Sequence, residues 1–531
     1  MESGRSKPGE SLYGNCPTSS QGNCMSQEYL LGIDIGTTGT KLLLVDTAGG
    51  ITAEINLTST LQSPQANWAE EDPGEWWDNI CSGVPEILIK ASVDPSHILA
   101  VGVSGMVPAT ILVGGDGRPL RRSIQQNDAR SIIEIDEFKA RVDEQDVFRR
   151  TGSAITQQSI GPKLLWLAKN EPDVFAQTVW VMGSYDYINY RLTGTPTLEQ
   201  NWALESGLYD IHHKDWDDDL LKLAEISREQ LPAVHAPNDV IGRITSETAA
   251  LTGLLAGTPV VAGSADHVSS AFSVGLKQNG DLLIKLGGAG DVLYSLDRLE
   301  INECLFLDYH VIPGLYLING CMASSGSIIK WYRDKFGAGL DYPELDAEAW
   351  NIPAGSDGLI LLPYFIGEKT PIFDPIARGV FFGLTLQHTR AHLYHAILEG
   401  ISFGFYHHIQ VLKKAGFDIK RVRVANGGAR SKLWRQVTSD VIGLPLEEVA
   451  NHPGSSLGAA FVAGMGVGAF TEWSEIEKFI HLKQPTYPDQ TRHEKYKTLY
   501  RLYRDLYETN RTNFATLAQI EGLTGKSQPY P

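Results

Sequence analysis

The sequence predicts an α/β protein built from two domains. Short apolar runs typical of buried strands alternate with segments of helical periodicity along the chain, and this alternation favours mixed sheets covered by helices. A glycine-rich hairpin pattern occurs once in each half, at residues 29–46 and 281–297. When the two patterns are aligned on Gly36 and Gly287, a second glycine, a leucine and an aspartate also coincide. An internal repeat explains this match, and a chance likeness between two glycine-rich hairpins is the alternative.

The first half begins with residues 1–27, which are rich in Gly, Ser, Asn and Pro and lack the apolar core of a signal peptide. We expect them to form a disordered extension. Two β-rich runs then flank a Gly/Thr turn at 29–46, which predicts a hairpin. The other elements predicted in this half are helices over 76–89 and 162–169 and buried strands over 98–105 and 259–263.

The second half repeats this style. Its predicted elements are the hairpin at 281–297, a strand over 358–363, a helix over 388–414, a strand over 421–425, a helix after Gly428 and a charged helix over 494–511. A loop before Pro259 and the restart of the hairpin pattern after it indicate the domain boundary. The predicted organisation is an N-terminal domain over 28–257, a C-terminal domain over 258–500, and a helix end and tail over 501–531.

The composition excludes several function classes. The 531 residues include 45 Lys and Arg against 63 Asp and Glu, a formal net charge of −18, which argues against nucleic-acid binding because that function needs a basic face. No apolar run approaches the about 18 residues that a membrane helix needs. The five cysteines form no CxxC pair, so a disulfide framework and a structural zinc site are both disfavoured. We therefore expect a cytoplasmic, acidic enzyme that binds neither nucleic acid nor membrane.

The turn of the first hairpin combines small residues, hydroxyls and a lysine. Gly36 lets the backbone approach an anion closely, and successive N–H groups of such a turn form an anion-binding nest. Thr37 and Thr38 add hydroxyl donors, and Lys41 adds a positive charge. Asp34, at the end of the first strand, is suited to hold Mg²⁺ through water. This pattern predicts a phosphate-binding loop, and an ordinary polar turn is the alternative.

Three other positions carry chemistry. Gly287 and Gly288, in the second hairpin, form a phosphate cradle without hydroxyls, and residues 426–431 form a glycine-rich turn on which a flat ring can lie. Asp266 follows a buried strand close to the domain boundary. A carboxylate in that position is suited to act as a general base, and a helix N-cap is the alternative role.

These motifs occur together with several others in one order along the chain. They are residues 34–41, 68–73, 127–130, 263–266, 367–379, 426–429 with Trp434, and 456–460. Their order and spacing from residue 29 to about 500 resemble the FGGY carbohydrate kinases, which belong to the actin/hexokinase/Hsp70 superfamily.

The resemblance implies two actin/hexokinase-like (ribonuclease H-like) domains, each built on a five-stranded mixed sheet, with ATP in the cleft between them. It gives Asp266 the role of the general base and places Asp34 near Mg²⁺. The nucleotide-binding positions that it implies are Gly36, Thr37, Thr38 and Lys41 in the first phosphate loop, Gly287 and Gly288 in the second, Gly326 close to the nucleotide, and Gly427, Gly428 and Ala429 in the adenosine motif.

The sugar side departs from the xylulose kinases, the subgroup that the chain resembles in general look. Those enzymes carry Gln-Met-His where this chain has Met106, Val107 and Pro108, and Pro108 offers no side-chain donor to a sugar. Gln126 replaces a tryptophan that commonly stands at that position. The positions expected to face the sugar are Met106, Gln126, Asp128, Gln158 and Asp266.

The function expected from the sequence is ATP-dependent phosphorylation of a terminal hydroxyl of a small ketose or polyol. A pentulose is the favoured substrate class, and D-xylulose itself is disfavoured. A glycerol- or tetritol-type polyol kinase and a non-catalytic nucleotide-binding regulator of the same fold are the alternatives. ATP, Mg²⁺ and the sugar or polyol are the expected partners, and a homodimer is left open. An actin- or Hsp70-like ATPase fits the glycine hairpins but not the motifs at 127–130 and 367–379.

Overall fold

The structure is a computed structural model that describes residues 27–450 and 452–521. The expected disordered extension and the last part of the expected tail lie outside the described residues. In the part of the chain that is described, no helix is both long enough and apolar enough to cross a membrane.

The first sheet, here called the N-terminal sheet, has seven strands within the described residues. Its spatial order is Val240–Arg243, Pro259–Val261, Ile98–Gly105, Tyr29–Gly36, Gly39–Asp46 and Ile51–Thr58, with Ser264–Ala265 also paired to Ile98–Gly105. The first hairpin is antiparallel, whereas Tyr29–Gly36 runs parallel to Ile98–Gly105. The sheet is therefore mixed, and the ends of its parallel strands meet at one edge.

The second sheet, here called the C-terminal sheet, also has seven strands among the described residues. Its spatial order is Phe306–Tyr309, Tyr316–Met322, Gly290–Leu296, Asp281–Leu286, Arg421–Ala425, Glu447–Ala450 and His481–Leu482. Asp281–Leu286 forms an antiparallel hairpin with Gly290–Leu296 and pairs in parallel with Arg421–Ala425 on its other side. In the same way, Tyr29–Gly36 of the first hairpin pairs in parallel with Ile98–Gly105. Each sheet thus carries extra edge strands beyond the five that the resemblance implied.

Helices cover both sheets and contribute their apolar faces to two cores. Their bounds are Pro73–Ala91, Ile132–Lys139, Glu144–Thr151, Ile160–Asn170, Pro172–Ala176, Ser184–Thr193, Gln200–Glu205, Asp218–Leu223, Ser246–Thr252, Asp266–Ser273, Gly326–Phe336, Tyr342–Ala349, Arg390–Lys414, Lys432–Ile442, Ser455–Gly466 and Gln490–Ile520. Small two-stranded ribbons join Glu70–Glu71 to Ser123–Ile124, Ile111–Val113 to Trp180–Met182, Thr197–Glu199 to Ala233–His235, Tyr209–Asp210 to Asp215–Trp216, and Ile360–Leu362 to Val380–Phe382.

The helix Ser455–Gly466 comes late in the chain but packs on the N-terminal sheet. It lies so close that a Cβ at Gly32 would stand 1.9 Å from the carbonyl oxygen of Ser456, and one at Gly102 would stand 2.1 Å from that of Ala459. Only glycine permits such an approach of helix to strand. The C-terminal part of the chain therefore helps to build the N-terminal core.

The expected domain boundary at 257/258 divides the N-terminal sheet. Pro259–Val261 and Ser264–Ala265 both form hydrogen bonds with Ile98–Gly105, so they belong to that sheet. The division between the sheets instead falls between Ser273, where the next helix ends, and Asp281, where the C-terminal sheet begins. A sequence loop before a strand does not reveal which sheet the strand joins, because that depends on a long-range pairing.

Candidate active site

The phosphate loop predicted at the first hairpin is a two-residue turn. Gly36 pairs with Gly39, and Thr37 and Thr38 form the turn between them. Thr38 is exposed, while the hydroxyl of Thr37 lies 3.9 Å from the sulfur of Met106. A Cβ at Gly36 would meet only the carbonyl oxygen of Gly39, at 3.4 Å. The turn is thus open to a ligand.

Lys41 stands opposite Asp34 in the register of the hairpin, on the same face. Its ammonium lies 3.1 Å from a carboxylate oxygen of Glu54 and donates a hydrogen bond to the carbonyl oxygen of Pro453 at 2.5 Å. The positive charge expected at the phosphate loop is present. It is shared with an acidic side chain and fixed by the segment before Ser455–Gly466.

Asp34 and Asp266 lie close together because of how three strands end. Asp34 pairs with Ser104 of Ile98–Gly105, and Ser104 pairs in turn with Ser264, two residues before Asp266. The hydroxyl of Ser104 donates to Asp34 at 2.9 Å. Burial, and next the negative charge of Asp266, raise the pKa of Asp34 to about 6. Two neighbouring carboxylates with so few counter-charges fit a divalent cation.

Asp266 is the first residue of the helix Asp266–Ser273, and Ala265 occupies the N-cap position. Its carboxylate accepts a hydrogen bond from the backbone N–H of the next residue, His267, at 2.6 Å. The side chain of Asp266 is 39% exposed. The alternative N-cap role is therefore not the one the structure has, and the carboxylate stays partly accessible to solvent.

The second set of glycines lines one large cavity beside the C-terminal sheet, with a volume of about 1320 Å³. Gly287, Gly288, Gly326, Gly427 and Gly428 all line it. A Cβ at either Gly288 or Gly427 would meet nothing within 4 Å, so both glycines face open space. The structure brings these predicted nucleotide positions together.

The cavity combines closely packed glycine backbone with an aromatic side chain. A Cβ at Gly326 would stand 2.6 Å from the carbonyl oxygen of Gly287, so the backbone at these two turns is in direct contact. The indole ring of Trp434 lines the cavity, and its buried N–H has no hydrogen-bond partner among the described residues. Ala429 is buried behind the turn and does not line the cavity.

The cavity also has a wall that the sequence reasoning missed. Lys330, Asp346 and Trp350 line it from the helices Gly326–Phe336 and Tyr342–Ala349 and the residue after the second helix. No motif marks these residues, because they come from ordinary amphipathic helices whose cavity-facing side depends on tertiary packing. Trp350 is 53% exposed and adds an aromatic surface at the rim.

Asp128 was expected to face the sugar, and both its oxygens are engaged inside the domain. One accepts from the backbone and side chain of Arg130, each at 2.9 Å, and the other accepts from Ala69 N–H at 2.6 Å and from Arg130 at 2.8 Å. The guanidinium of Arg130 stacks 3.7 Å from the ring centre of Trp68. In this arrangement Asp128 orders the loop, and sugar contact by Asp128 stays a prediction.

The other predicted sugar residues differ in exposure. Met106 is 2% exposed and lies against the Thr37–Thr38 turn, whereas Gln126 and Gln158 are half-buried. Next to this loop the buried ammonium of Lys163 donates to the carbonyl oxygen of Gln125 at 2.9 Å, and burial lowers the pKa of Lys163 to about 7. Sequence reasoning missed Lys163, since one lysine in a helical pattern carries no signal.

Comparison with known proteins identifies the family of this chain. Residues 29–273 match the N-terminal domain of the FGGY family of carbohydrate kinases, and residues 301–467 match its C-terminal domain. The chain belongs to this family. It is therefore a carbohydrate kinase with two actin/hexokinase-like domains, a class that uses ATP.

Individual relatives cover almost the whole chain. The chain is 30% identical to the xylulose kinase of Escherichia coli K12 over 482 residues, which covers 90% of this chain and 98% of the relative. The crystal structure of a xylulose kinase from Rhodospirillum rubrum has a TM-score of 0.88 and 41% identity, covering 92% of this chain and 100% of that one. That of a gluconate kinase from Lactobacillus acidophilus has a TM-score of 0.87 and 28% identity, with coverage of 93% and 100%.

Proposed function

We propose that this protein transfers the γ-phosphoryl group of ATP to a terminal hydroxyl of a small ketose, most simply a pentulose, with Asp266 as the general base. The observation that supports this most is the meeting of Asp34 and Asp266 at adjacent strand ends, beside the phosphate turn. Phosphoryl transfer depends mainly on positioning and charge stabilisation. The two carboxylates would position the acceptor hydroxyl and a Mg²⁺ ion, and that ion would supply the positive charge.

The nucleotide would occupy the glycine-lined cavity. Gly427 and Gly428 form the turn on which the base would lie, with Trp434 beside it. Gly287 and Gly288 would lie along one side of the phosphates, and the Thr37–Thr38 turn would bind them on the other. Asp34 would hold Mg²⁺, which neutralises phosphate charge when it is bound. The raised pKa of Asp34 fits this role, because a cation relieves the repulsion from Asp266.

Asp266 would accept the proton of the attacking hydroxyl. The carboxylate is accessible, and its backbone hydrogen bond from His267 fixes one oxygen and leaves the other available. A base must lie within hydrogen-bond reach of the proton that it takes. The first turn of a helix between the two sheets is a rigid place to present one.

The substrate class follows from the relatives and from the departures on the sugar side. Xylulose and gluconate kinases match this chain at similar structural similarity, so the fold alone does not select the sugar. Pro108 stands where xylulose kinases carry histidine, and Met106 and Val107 make the adjoining surface apolar. We propose a ketose other than D-xylulose, and a polyol kinase is the alternative. A cytoplasmic location and a homodimer stay predictions.

Replacing the base tests the mechanism. General-base assistance contributes roughly 10²–10⁴-fold, so Asp266→Asn should lower kcat by at least ~100-fold while the Kd for ATP stays within a factor of about three. Asp94→Asn is the matched control, because Asp94 also accepts from a nearby backbone N–H, of Ser96 at 2.9 Å, but lies on the surface. If Asp266→Asn keeps a kcat within threefold of the wild type, the base lies elsewhere.

A panel of sugars tests the substrate class. ADP release should be measured with tetruloses, pentuloses, hexuloses, aldonates and polyols, each with a blank that lacks the acceptor. We expect a ketose other than D-xylulose to have the highest kcat/KM. If D-xylulose is the best substrate, the argument from Pro108 is wrong. If a polyol is the best substrate, the alternative polyol kinase is favoured. If the protein phosphorylates none of the acceptors on the panel, the non-catalytic regulator is favoured.

A further inference from the structure

A cluster of three ligand-type side chains lies next to Asp266 but has no part in the proposed reaction. It consists of Glu205, His267 and Asp308, whose nearest ligand atoms all lie within 4.8 Å of one another. We call it the Glu-His-Asp cluster. The cluster joins the last residue of Gln200–Glu205, the second residue of Asp266–Ser273 and the strand Phe306–Tyr309. It therefore connects the two halves of the molecule.

The polar atoms at the centre of the cluster form no well-directed hydrogen bond among the described residues, although the His267 ring faces both carboxylates as an ion-pair partner. This holds for Oε1 of Glu205, Nε2 of His267 and Oδ2 of Asp308. Asp308 is only 2% exposed. Buried charged groups are normally paired, hydrogen-bonded or bound to a metal. The two carboxylates facing one ring nitrogen need a positive charge at this point, which either a proton on His267 or a bound cation supplies.

The distances fit a metal ion at that point. Nε2 of His267 lies 3.1 Å from Oδ2 of Asp308 and 3.8 Å from Oε1 of Glu205. Ligands with metal bonds of about 2.0–2.2 Å stand about 2.8–3.6 Å apart around an octahedral or tetrahedral ion. Small side-chain adjustments would therefore complete three bonds. Metal binding needs Nε2 of His267 without a proton, so a metal ion at this point competes with a proton on that nitrogen.

The surroundings of the cluster resemble the outer shell of a metal site. A metal-bound histidine usually directs its other ring nitrogen at a carboxylate, and Nδ1 of His267 lies 3.5 Å from Oδ1 of Asp266. The strand that carries Asp308 is held in place by Asn201, whose side chain donates to the carbonyl oxygen of Tyr309 at 3.0 Å and accepts from its N–H at 2.8 Å. The strand that carries Asp308 is thus fixed before any ion binds.

We propose that the Glu-His-Asp cluster is a binding site for a divalent first-row metal ion of the Zn²⁺ or Mn²⁺ type. One imidazole and two carboxylates suit such ions better than Mg²⁺, which prefers oxygen ligands alone. The ion would tie Asp308 of the C-terminal sheet to the helix that begins with Asp266. This site is separate from Mg²⁺ at Asp34, and it does not rest on the proposed kinase substrate.

Direct metal binding tests the proposal without ATP or sugar. The full chain is stripped with a chelator, and Zn²⁺ is titrated against a chromogenic competitor, with Mn²⁺ followed in parallel by electron paramagnetic resonance. We expect one bound Zn²⁺ per chain that is lost, or weakened at least ~100-fold, in both Asp308→Asn and Glu205→Gln. Circular dichroism and thermal unfolding check that each variant is folded.

Two controls separate this site from other ligands. Asp34→Asn should keep the Zn²⁺ equivalent, and so should His213→Gln, which removes an exposed histidine 2.8 Å from Asp210. Added Zn²⁺ should raise the Tm of the wild type and of both control variants but not that of Asp308→Asn. If the wild type binds no Zn²⁺, or if Asp308→Asn and Glu205→Gln bind it as the wild type does, the proposal is wrong and a proton on His267 pairs the two carboxylates instead.

Discussion

Asp34 offers a test of the carboxylate pair that needs no substrate. Burial and the charge of Asp266 raise the pKa of Asp34 from its ordinary value of 3.8 to about 6. The ionised form is therefore less favourable in the folded protein than in the unfolded chain. Asp34→Asn removes this charge but keeps an acceptor for Ser104, which donates to Asp34 at 2.9 Å. We expect the variant to unfold less readily than the wild type in the absence of nucleotide and Mg²⁺.

The magnitude follows from linkage between proton binding and folding. A pKa of about 6 in place of 3.8 corresponds to up to about 3 kcal/mol, at 1.36 kcal/mol per pKa unit. Because the folded pKa is raised, the free energy of unfolding of the wild type falls as the pH rises from about 4 to about 6. The advantage of Asp34→Asn should therefore be near zero below pH 4, grow through this window and level off above it.

The measurement is urea unfolding of both proteins at several pH values between 4 and 8, without ligands. Asp266→Asn is the informative comparison. Burial is the first cause of the shift and Asp266 only the second, so Asp266→Asn should recover the smaller part of the gain. Mg²⁺ should stabilise the wild type more than Asp34→Asn. An Asp34→Asn protein that is equally or less stable than the wild type at pH 8 would refute the electrostatic reasoning.

Two further predictions address the cavity and the buried loop network. Gly427→Val should leave folding intact, because a Cβ there meets nothing within 4 Å. The Gly427→Val substitution should still raise the Kd for ATP at least about tenfold, which corresponds to ~1.4 kcal/mol of binding free energy. Titration calorimetry measures this change. The control Gly115→Val, in a surface turn, should leave the Kd for ATP unchanged. Asp128→Asn leaves Arg130 underpaired beside Glu70 and should lower the free energy of unfolding by about 3 kcal/mol. A loss under 0.5 kcal/mol in urea unfolding would contradict the buried pairing.

Local pattern predicted the elements that carry the site, often to the residue. The hairpin strands Tyr29–Gly36 and Gly39–Asp46 and the strands Ile98–Gly105 and Arg421–Ala425 all lie where the sequence placed them. Alternation of apolar residues and glycines at turns are local signals. The family membership and the fold were also predicted correctly, since several weak motifs in one order are specific together.

Long-range contacts were not predictable in the same way. Nothing in the local sequence tells Pro259–Val261 to join the N-terminal sheet, and nothing marks Asp308 as a neighbour of His267. The motif at Asp128 predicts a sugar contact and gives no sign that its oxygens are engaged by Arg130 and Ala69, so that contact stays a prediction. Burial and partner choice depend on the whole packed molecule, which the spacing of residues along the chain does not specify.

The late helix on the N-terminal sheet has a consequence for how the chain is made. Lys41 and its partner Pro453 are 412 positions apart, so at about 5–20 residues per second a ribosome delivers the second roughly 20–80 s after the first. Until Ser455–Gly466 emerges, the face of the sheet at Gly32 and Gly102 is uncovered. The N-terminal sheet therefore stays incompletely packed during synthesis until the last part of the chain has been made. A chain truncated before residue 453 would lack the carbonyl group that fixes Lys41 beside the Thr37–Thr38 turn.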